Sequence, residues 1–490
     1  MKKLLASLLT LCLLASCAPT RTPTPPDVNL DRLRPDLPIF REGLIDPSIL
    51  PDMPGATTYN LQFVIQDDFV HITGKEYVWY TNREDVALDR VEFRLFPNIL
   101  GGMMTVSNLQ VENVAVTPAY ELQNSLMIVP LAEPLDVGSA VKISMDFTLK
   151  VPTEVELNYG VLAYYDHVLT LAHAYPMVAV YNEAGWNAEL PPQAGDVTFA
   201  DASFFLVTVT APKDVTIVAS GVESAPVTSD NQIIQNVALG PARDFFLAVS
   251  DDFEVISETV GGVTVNSYAP KKLRGASRSV LATAVRAIET YGNAYAPYPY
   301  IEFDIIATPN LALGIEYPGA TAITTRIYTD ETYGEQTEIY RESTVAHEVG
   351  HQWFYNMVGN DQLDEPWLDE SLTQFITWEY YRINYGTAGA SGFESGLRGR
   401  WERVENAPIP VGQPVAAYEG KEYGAIVYGR GAFFFEALRA EMGAEIFNAF
   451  LRDYVQTYAW EIASTAELKA LAEKHCNCDL TPIFEKWVFP

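Results

Sequence analysis

Two histidines four positions apart, with a glutamate beside the first, form the stretch of this chain best suited to chemistry. His347, Glu348 and His351 lie in the sequence His-Glu-Val-Gly-His. Residues four apart on an α-helix share one face, so the two imidazoles can bind the same metal ion. Zinc accepts neutral imidazole ligands in a tetrahedron, and a carboxylate beside it can serve as general base toward water. The spacing therefore predicts a hydrolytic zinc site with Glu348 as the base.

A third ligand is predicted at Glu370, nineteen positions after His351. The helical pattern of the zinc segment continues to Asn356, and we expect that helix to stop near Gly359. Pro366 suits the first turn of a second helix, which would run antiparallel to the first and bring Glu370 back to the histidines. Two imidazoles and one carboxylate leave a fourth position for water, which is the arrangement of catalytic zinc sites.

The zinc segment resembles the core of the M1 aminopeptidase family, the gluzincins, in the stretches HEVGHQWFYNMVGND and EPWLDESLTQF. Members of that family carry HExxH, eighteen residues and then Glu. The resemblance implies one Zn2+ ion on His347, His351 and Glu370, with Glu348 as the base. The chain has Asp-Glu-Ser around the third ligand, where family members often have Asn-Glu-Gly.

The same resemblance implies a substrate-binding segment upstream of the zinc helix. Gly314 and Glu316 occupy the place of the family's GxMEN segment, in which the Glu binds the free α-amine of the substrate. A fixed carboxylate that pairs with this ammonium sets the cut one residue from the end, which makes an exopeptidase. Ile315 and Tyr317 replace the family's Met and Asn, and an exposed Glu in a strand-edge loop is the alternative. Gly314 would let a peptide approach as an added strand.

Tyr428 is predicted to stabilise the oxyanion of the tetrahedral intermediate. In the family a Tyr followed by x-x-Gly donates this hydrogen bond, and Tyr428-Gly-Arg-Gly ahead of the apolar residues 432–438 matches its place. A phenol keeps its proton at neutral pH, so it can donate. Tyr423 is the nearest alternative. Arg430 could bind a substrate carboxylate, but a salt bridge with a local acid is the simpler expectation.

Short alternating strands dominate residues 55–252, for example at 59–65, 91–96 and 205–210, and turn residues separate them. This pattern favours an N-terminal antiparallel β-sandwich. The histidines of this region are expected to be surface or packed residues rather than ligands: His71, His167 and His173.

Helices alternate with short strands from 253 to 490. An amphipathic helix is predicted at 277–291, and a buried strand at 303–307. We therefore expect an α+β multidomain fold, and the resemblance implies that the second domain is a thermolysin-like mixed α/β, mostly helical catalytic domain.

Composition narrows the class of partner. The chain has 63 acidic and 32 basic residues and a formal net charge of −31. Such a surface repels the phosphates of nucleic acids and of anionic membranes, so nucleic acid is not an expected partner. The expected partners are peptides with a free N-terminus.

The first residues have the pattern of an export signal. Residues 1–16 combine two lysines with a short apolar run, too short for a permanent membrane span. The run ends at Leu-Ala-Ser-Cys17, which resembles the bacterial lipobox and implies a lipid on Cys17. Residues 17–54 are rich in Pro and Thr and are predicted to be a linker. We expect an extracytoplasmic bacterial protein held to the cell membrane only by this lipid, with a secreted protein as the alternative.

The role of Cys476 and Cys478 is left unassigned, since a redox pair, a buried turn or a disulfide each fits the sequence His475-Cys-Asn-Cys.

The candidate metal, base and substrate-binding residues together predict a zinc-dependent aminopeptidase. The alternatives are a zinc endopeptidase or dipeptidase, or a non-catalytic binding lipoprotein with a relic zinc site. An N-blocked peptide separates the first two readings, because an aminopeptidase leaves it intact.

Overall fold

A computed structural model of the chain describes residue 53, residues 55–192, residue 195, residues 197–229 and residues 231–489. The predicted signal peptide at 1–16, the predicted lipid site Cys17 and all but residue 53 of the linker at 17–54 lie outside these residues. No helix in the described ranges has both the length and the apolar character needed to cross a membrane.

The N-terminal region consists of strands, as alternation of apolar and polar residues predicts. In chain order they are β1 (Thr58–Ile65), β2 (His71–Thr81), β3 (Leu88–Arg94), β4 (Met103–Val111), β5 (Val114–Ala115), β6 (Ala119–Glu121), β7 (Leu126–Leu135), β8 (Ala140–Lys150), β9 (Leu162–Tyr165), β10 (Val168–Ala172), β11 (Met177–Val178), β12 (Tyr181–Asn182), β13 (Gly185–Trp186), β14 (Ser203–Pro212), β15 (Thr216–Ala219), β16 (Val222–Glu223), β17 (Val227–Thr228), β18 (Gln232–Ala242) and β19 (Phe246–Ser250).

A nine-stranded sheet in the order β16-β18-β14-β1-β2-β8-β4-β5, with β17 on β18, is the largest of this region. Two four-stranded sheets, β15-β19-β10-β9 and β11-β3-β7-β6, share a buried core with it, in which Phe63, Phe147 and Phe205 are fully enclosed. The sheets are mostly antiparallel, but β1 and β14 run parallel. Periodicity within each strand cannot reveal that pairing, because the two strands are far apart in sequence.

The C-terminal region follows with β20 (Phe253–Val260), β21 (Val263–Pro270), α1 (Arg274–Ala294), β22 (Glu302–Thr308), β23 (Gly314–Tyr317), β24 (Ala320–Thr324), α2 (Thr337–Gly350), α3 (Glu370–Trp401), α4 (Glu422–Ala425), α5 (Gly431–Met442), α6 (Ala444–Thr457), α7 (Thr465–Cys476) and α8 (Thr481–Trp487). The strands form a five-stranded mixed sheet in the order β20-β21-β22-β24-β23, with α1 between β21 and β22 in the chain and the other helices after β24. The predicted α+β class, strands first and helices after, is confirmed. The predicted domain boundary at 252/253 falls between β19 and β20 and stays a prediction.

Arg243, a buried cation of the N-terminal region, joins the two regions beside the zinc segment. Its guanidinium donates to four backbone carbonyls at 2.6–3.3 Å, those of Ala200, Tyr355, Met357 and Glu461. Gly359 leaves the space that this side chain fills, since a Cβ there would lie 2.0 Å from the guanidinium carbon. Because unpaired buried carbonyls are costly, Arg243 fixes the loop that follows the zinc helix to the N-terminal region.

Candidate metal centre and active site

The zinc helix is shorter than the sequence predicted. α2 ends at Gly350, and His351 caps it with helical φ and ψ of −64° and −12°. The prediction of helix through Asn356 is wrong, because other partners take the backbone groups of that stretch. The Tyr355 carbonyl accepts from Arg243, and its N–H pairs with the Val358 carbonyl at 2.9 Å. Tyr355 also has a φ of 128°, which no α-helix accommodates.

The second helix begins at the predicted ligand itself. Pro366 lies in a turn, and α3 starts at Glu370, so the prediction that Pro366 opens the helix is wrong. The side chain of Asp369 accepts the backbone N–H of Glu370 at 2.8 Å and caps the helix. An aspartate at this position satisfies an otherwise unpaired donor. The helix start, rather than its interior, therefore delivers the Glu370 carboxylate to the histidines.

The three predicted metal ligands converge. The Nε2 atoms of His347 and His351 are 3.1 Å apart, and the Glu370 Oε2 atom lies 3.1 Å from the first and 3.6 Å from the second. A tetrahedral zinc with bonds of about 2.0–2.1 Å needs its ligand atoms roughly 3.3 Å apart. Two nitrogens and one oxygen at these separations fit one zinc ion with its fourth position left open.

The surroundings of the ligands also suit a divalent cation. Burial lowers the pKa of His347 to about 4, so its imidazole is neutral and its lone pair is available. The Phe354 carbonyl lies 3.0 Å from Nδ1 of His351 and accepts a hydrogen bond from its N–H, which leaves Nε2 as the ligand atom. Burial opposes a charge on His351, but the carboxylates of Glu316, Glu370 and Glu348 raise its pKa overall. The same negative charge favours a bound cation.

Glu348 is buried, with 5% of its surface exposed, beside these ligands. Burial raises the pKa of its carboxyl well above the ordinary value, and the charges of Glu316 and Glu370 raise it further, against the lowering effect of His351. A carboxylate with a raised pKa is a better proton acceptor near neutral pH. Its position and environment therefore suit the predicted base.

Gly314 faces Glu348, a contact that the sequence did not predict. A Cβ added at Gly314 would lie 2.4 Å from the Glu348 Oε1 atom. The missing side chain thus makes room for the base, in addition to the predicted approach of a peptide to strand β23.

Gly314→Ala is expected to lower kcat by about 10- to 100-fold, because a displacement of the base of about 1 Å is enough for such a loss. Zinc content should stay at the wild-type level, since the atoms nearest to an added Cβ belong to Glu348 and not to a predicted ligand. Gly292→Ala is the matched control, because a Cβ there meets no atom within 4 Å. Kinetics and zinc analysis of both variants check this, and an unimpaired Gly314→Ala enzyme would contradict the assigned contact.

Glu316 lies on β23, at the edge of the five-stranded sheet, and is buried with 6% exposed. The alternative of an exposed Glu in a loop is therefore wrong. Gln362 donates to the Glu316 Oε1 atom at 3.0 Å and to the Asp369 Oδ2 atom at 2.8 Å. Gln352 fixes the following turn, since its amide donates to the Tyr317 carbonyl at 2.9 Å.

Neither glutamine was predicted. Their only sequence signal is their position next to the zinc motif, in the segment between the two ligand-bearing helices. Gln362 ties the Glu316 carboxylate to Asp369, the residue that caps the ligand helix.

Tyr428 lies on a π-helix at Ile426–Arg430, a local widening that is frequent at functional sites. Its hydroxyl donates to the Glu370 Oε1 atom. The Ser371 hydroxyl donates to the Val427 carbonyl at 2.7 Å and so joins the ligand helix to this π-helix. Ser371 stands where family members often have the Gly of Asn-Glu-Gly, and its hydroxyl makes this contact with the π-helix. Tyr428 lies at the metal ligands, as expected.

Other predicted residues lie outside the metal centre. Arg430 donates to the carbonyls of Trp487 at 2.8 Å and Lys486 at 3.1 Å, and it lies over the Trp487 ring. In place of the salt bridge with a local acid that we expected for Arg430, its guanidinium makes hydrogen bonds to these two backbone carbonyls. Cys476 and Cys478 form a disulfide, which resolves the open alternatives.

None of the three N-terminal histidines belongs to a candidate metal group among the described residues, and each lies at the surface or packed, as expected. His71 pairs with Asp68 and His167 with Asp251, both at the surface. His173 is buried and lies 3.3 Å from the Asp244 carboxylate.

A cavity of about 960 Å³ holds the site. Both regions line it, with Tyr159 and His173 from the N-terminal region and Glu316, Glu348 and Tyr428 from the C-terminal region. Its size suits a short peptide rather than a single water molecule.

Comparisons with known proteins agree with this geometry. Residues 280–487 match the family described as "Peptidase family M1 domain". The chain is 26% identical over 299 residues to Aminopeptidase M1 of Arabidopsis thaliana, covering 58% of this chain and 33% of that protein. It is 25% identical over 303 residues to Probable aminopeptidase 2 of Sulfurisphaera tokodaii, covering 58% of this chain and 38% of that protein. The chain thus spans about a third of the length of these curated relatives.

A solved structure covers nearly the whole described chain. A Deinococcus radiodurans M1 zinc metallopeptidase mutant bound to a Tyr-Ser-Ala substrate superposes with a TM-score of 0.64 at 18% identity, covering 89% of this chain and 94% of that one. At this identity the likeness shows the shared fold, with its β-rich first region and helical second region. The domain match, the three convergent ligands within it and the shared fold together identify residues 280–487 as a peptidase family M1 domain.

Proposed function

We propose that the chain is a zinc-dependent aminopeptidase that hydrolyses the first peptide bond of peptides with a free N-terminus. The observation that carries this proposal is the buried carboxylate of Glu316, which lines the same cavity as the metal ligands. A buried carboxylate beside a zinc site is a strong binding group for a substrate ammonium. The curated relatives named aminopeptidases and the Deinococcus structure with its tripeptide substrate support the proposal.

The residues of this chain divide the reaction among them. A zinc ion on His347, His351 and Glu370 would supply Lewis acidity for the scissile carbonyl and for a water molecule. Glu316 pairs with the N-terminal ammonium and sets the cut after the first residue. The Glu348 carboxylate accepts the proton of the attacking water and passes it to the leaving amine.

Tyr428 completes the site. Its hydroxyl donates to the carbonyl oxygen of the substrate as that oxygen gains negative charge. In the structure this hydroxyl donates to Glu370, so it is already held at the metal ligands.

Glu316→Gln tests the proposal together with a panel of free and N-acetylated peptides. The wild-type protein should cleave the free peptides and leave the acetylated ones intact. Glu316→Gln should lower kcat/KM for the free peptides by about 30-fold or more, the effect of losing one partner of a buried charge pair. Glu335→Gln, at an exposed residue ahead of α2, is the control.

Two outcomes would reject the proposal. Cleavage of acetylated peptides at internal bonds indicates an endopeptidase, and bound zinc without hydrolysis of any peptide indicates a non-catalytic protein. The lipid anchor on Cys17 stays a prediction.

A further inference from the structure

A second group of carboxylates lies where the two regions meet. Glu302 and Asp304 are two apart on β22, so their side chains point to the same face of the sheet. Glu223, on β16 of the N-terminal region, reaches the same place. One carboxylate oxygen from each of the three lies within 4.8 Å of the others. Two ligands of a calcium ion at about 2.4 Å can be at most about 4.8 Å apart, so none of these separations exceeds the span of two ligands on one ion.

The group lacks a compensating positive charge. Among the ion pairs of the described residues, none includes Glu223, Glu302 or Asp304. The polar contacts they do have come from neutral donors. The Asn266 amide donates to Glu302 at 2.7 Å and to Asp304 at 2.9 Å, and the Ala219 N–H donates to Glu223 at 2.9 Å.

Asp304 gives an independent indication of a missing ligand. Its side chain is fully buried at 0% exposure, and its Oδ2 atom has no hydrogen-bond partner among the residues described. A buried carboxylate oxygen without a donor is costly, and a cation is the group that satisfies it best when other carboxylates are adjacent. The same crowding of carboxylates acts on Glu223, because burial and then the neighbouring Glu302 raise its pKa to about 8.

We propose that Glu223, Glu302 and Asp304 bind a calcium ion that joins the N-terminal region to the central strand of the C-terminal sheet. Only oxygen donors are present, which suits a hard cation of the calcium class and does not suit zinc. The site is distinct from the catalytic centre, because none of its residues lines the catalytic cavity.

Calcium binding to the zinc-loaded protein at alkaline pH tests the proposal, with calorimetry and the melting temperature as readouts. The wild-type protein should bind one calcium ion beyond its zinc, and its Tm should rise by about 3 °C or more at a hundredfold excess over Kd. Asp304→Asn and Glu223→Gln should lose the binding and the shift. In calcium-free buffer each variant should melt no lower than wild type, because the substitution removes repulsion between buried carboxylates.

Asp364→Asn is the matched control, since it alters another acidic group, that of Glu189, Asp361 and Asp364, which is only partly buried. It should keep the calcium response. The proposal is overturned if wild-type protein shows no calcium response, or if Asp304→Asn and Glu223→Gln both keep it. If Asp364→Asn alone lost the calcium response, calcium would be bound by the group of Glu189, Asp361 and Asp364, and the proposal would also be overturned.

Discussion

Glu348→Gln is expected to bind zinc as the wild-type protein does and to lose turnover by about 10³- to 10⁴-fold. The amide has the shape of the carboxyl group but cannot accept the proton of the attacking water, and general-base catalysis contributes up to about 10⁴-fold. Zinc should stay, because Glu348 is not among the three convergent ligand atoms of His347, His351 and Glu370. Steady-state kinetics on an unblocked peptide and zinc analysis of the same sample measure both effects.

Glu338→Gln provides the matched comparison for that result. Glu338 lies on the same helix, α2, but its side chain is 67% exposed and pairs with Arg341. It should keep wild-type turnover. Loss of activity in Glu338→Gln with retained activity in Glu348→Gln would reject Glu348 as the base. A Glu348→Gln enzyme that kept both its zinc and its turnover would reject the mechanism itself.

Tyr428→Phe is expected to lower kcat by about 10²- to 10³-fold, the range for loss of one oxyanion donor. The value of KM should change little, because the missing hydrogen bond forms only as charge develops on the carbonyl oxygen. The Tyr428 hydroxyl also donates to Glu370, so zinc content must be measured in the same sample. A variant that lost zinc would show that Tyr428 acts on the ligand rather than on the substrate.

Tyr423→Phe is the control for this second prediction. Tyr423 also lines the cavity, and its ring centroid lies 5.6 Å from that of Tyr428. A small effect is expected there. A larger loss in Tyr423→Phe than in Tyr428→Phe would transfer the oxyanion role to Tyr423.

The spacing of the metal ligands was readable from the sequence because it follows from helix geometry. Two histidines four apart share a face whatever surrounds them, and a second helix after a short loop was expected to return Glu370 to them. The ends of the helices were not readable. α2 stops six residues before the predicted Asn356, and Tyr355 leaves the helical path with a φ of 128° and an N–H that pairs with the Val358 carbonyl. Arg243, more than a hundred positions away, binds the Tyr355 carbonyl in this non-helical stretch.

The same limit explains the residues that sequence reasoning missed or misplaced. Gln362 contacts Glu316 across forty-six positions, and Arg430 bonds to carbonyls at 486 and 487. Contacts over such separations leave no local periodicity or motif. Gly314 was predicted to be functional for its approach to a peptide, whereas its contact with Glu348 depends on how β23 packs against α2.

Anomalous diffraction at the zinc edge from crystals of the purified protein tests the central claim most directly. We predict one strong peak per chain, at about 2.0–2.2 Å from the Nε2 atoms of His347 and His351 and from the carboxylate of Glu370. The absence of a peak there from protein supplied with zinc, or a peak bound by other residues, would contradict the account.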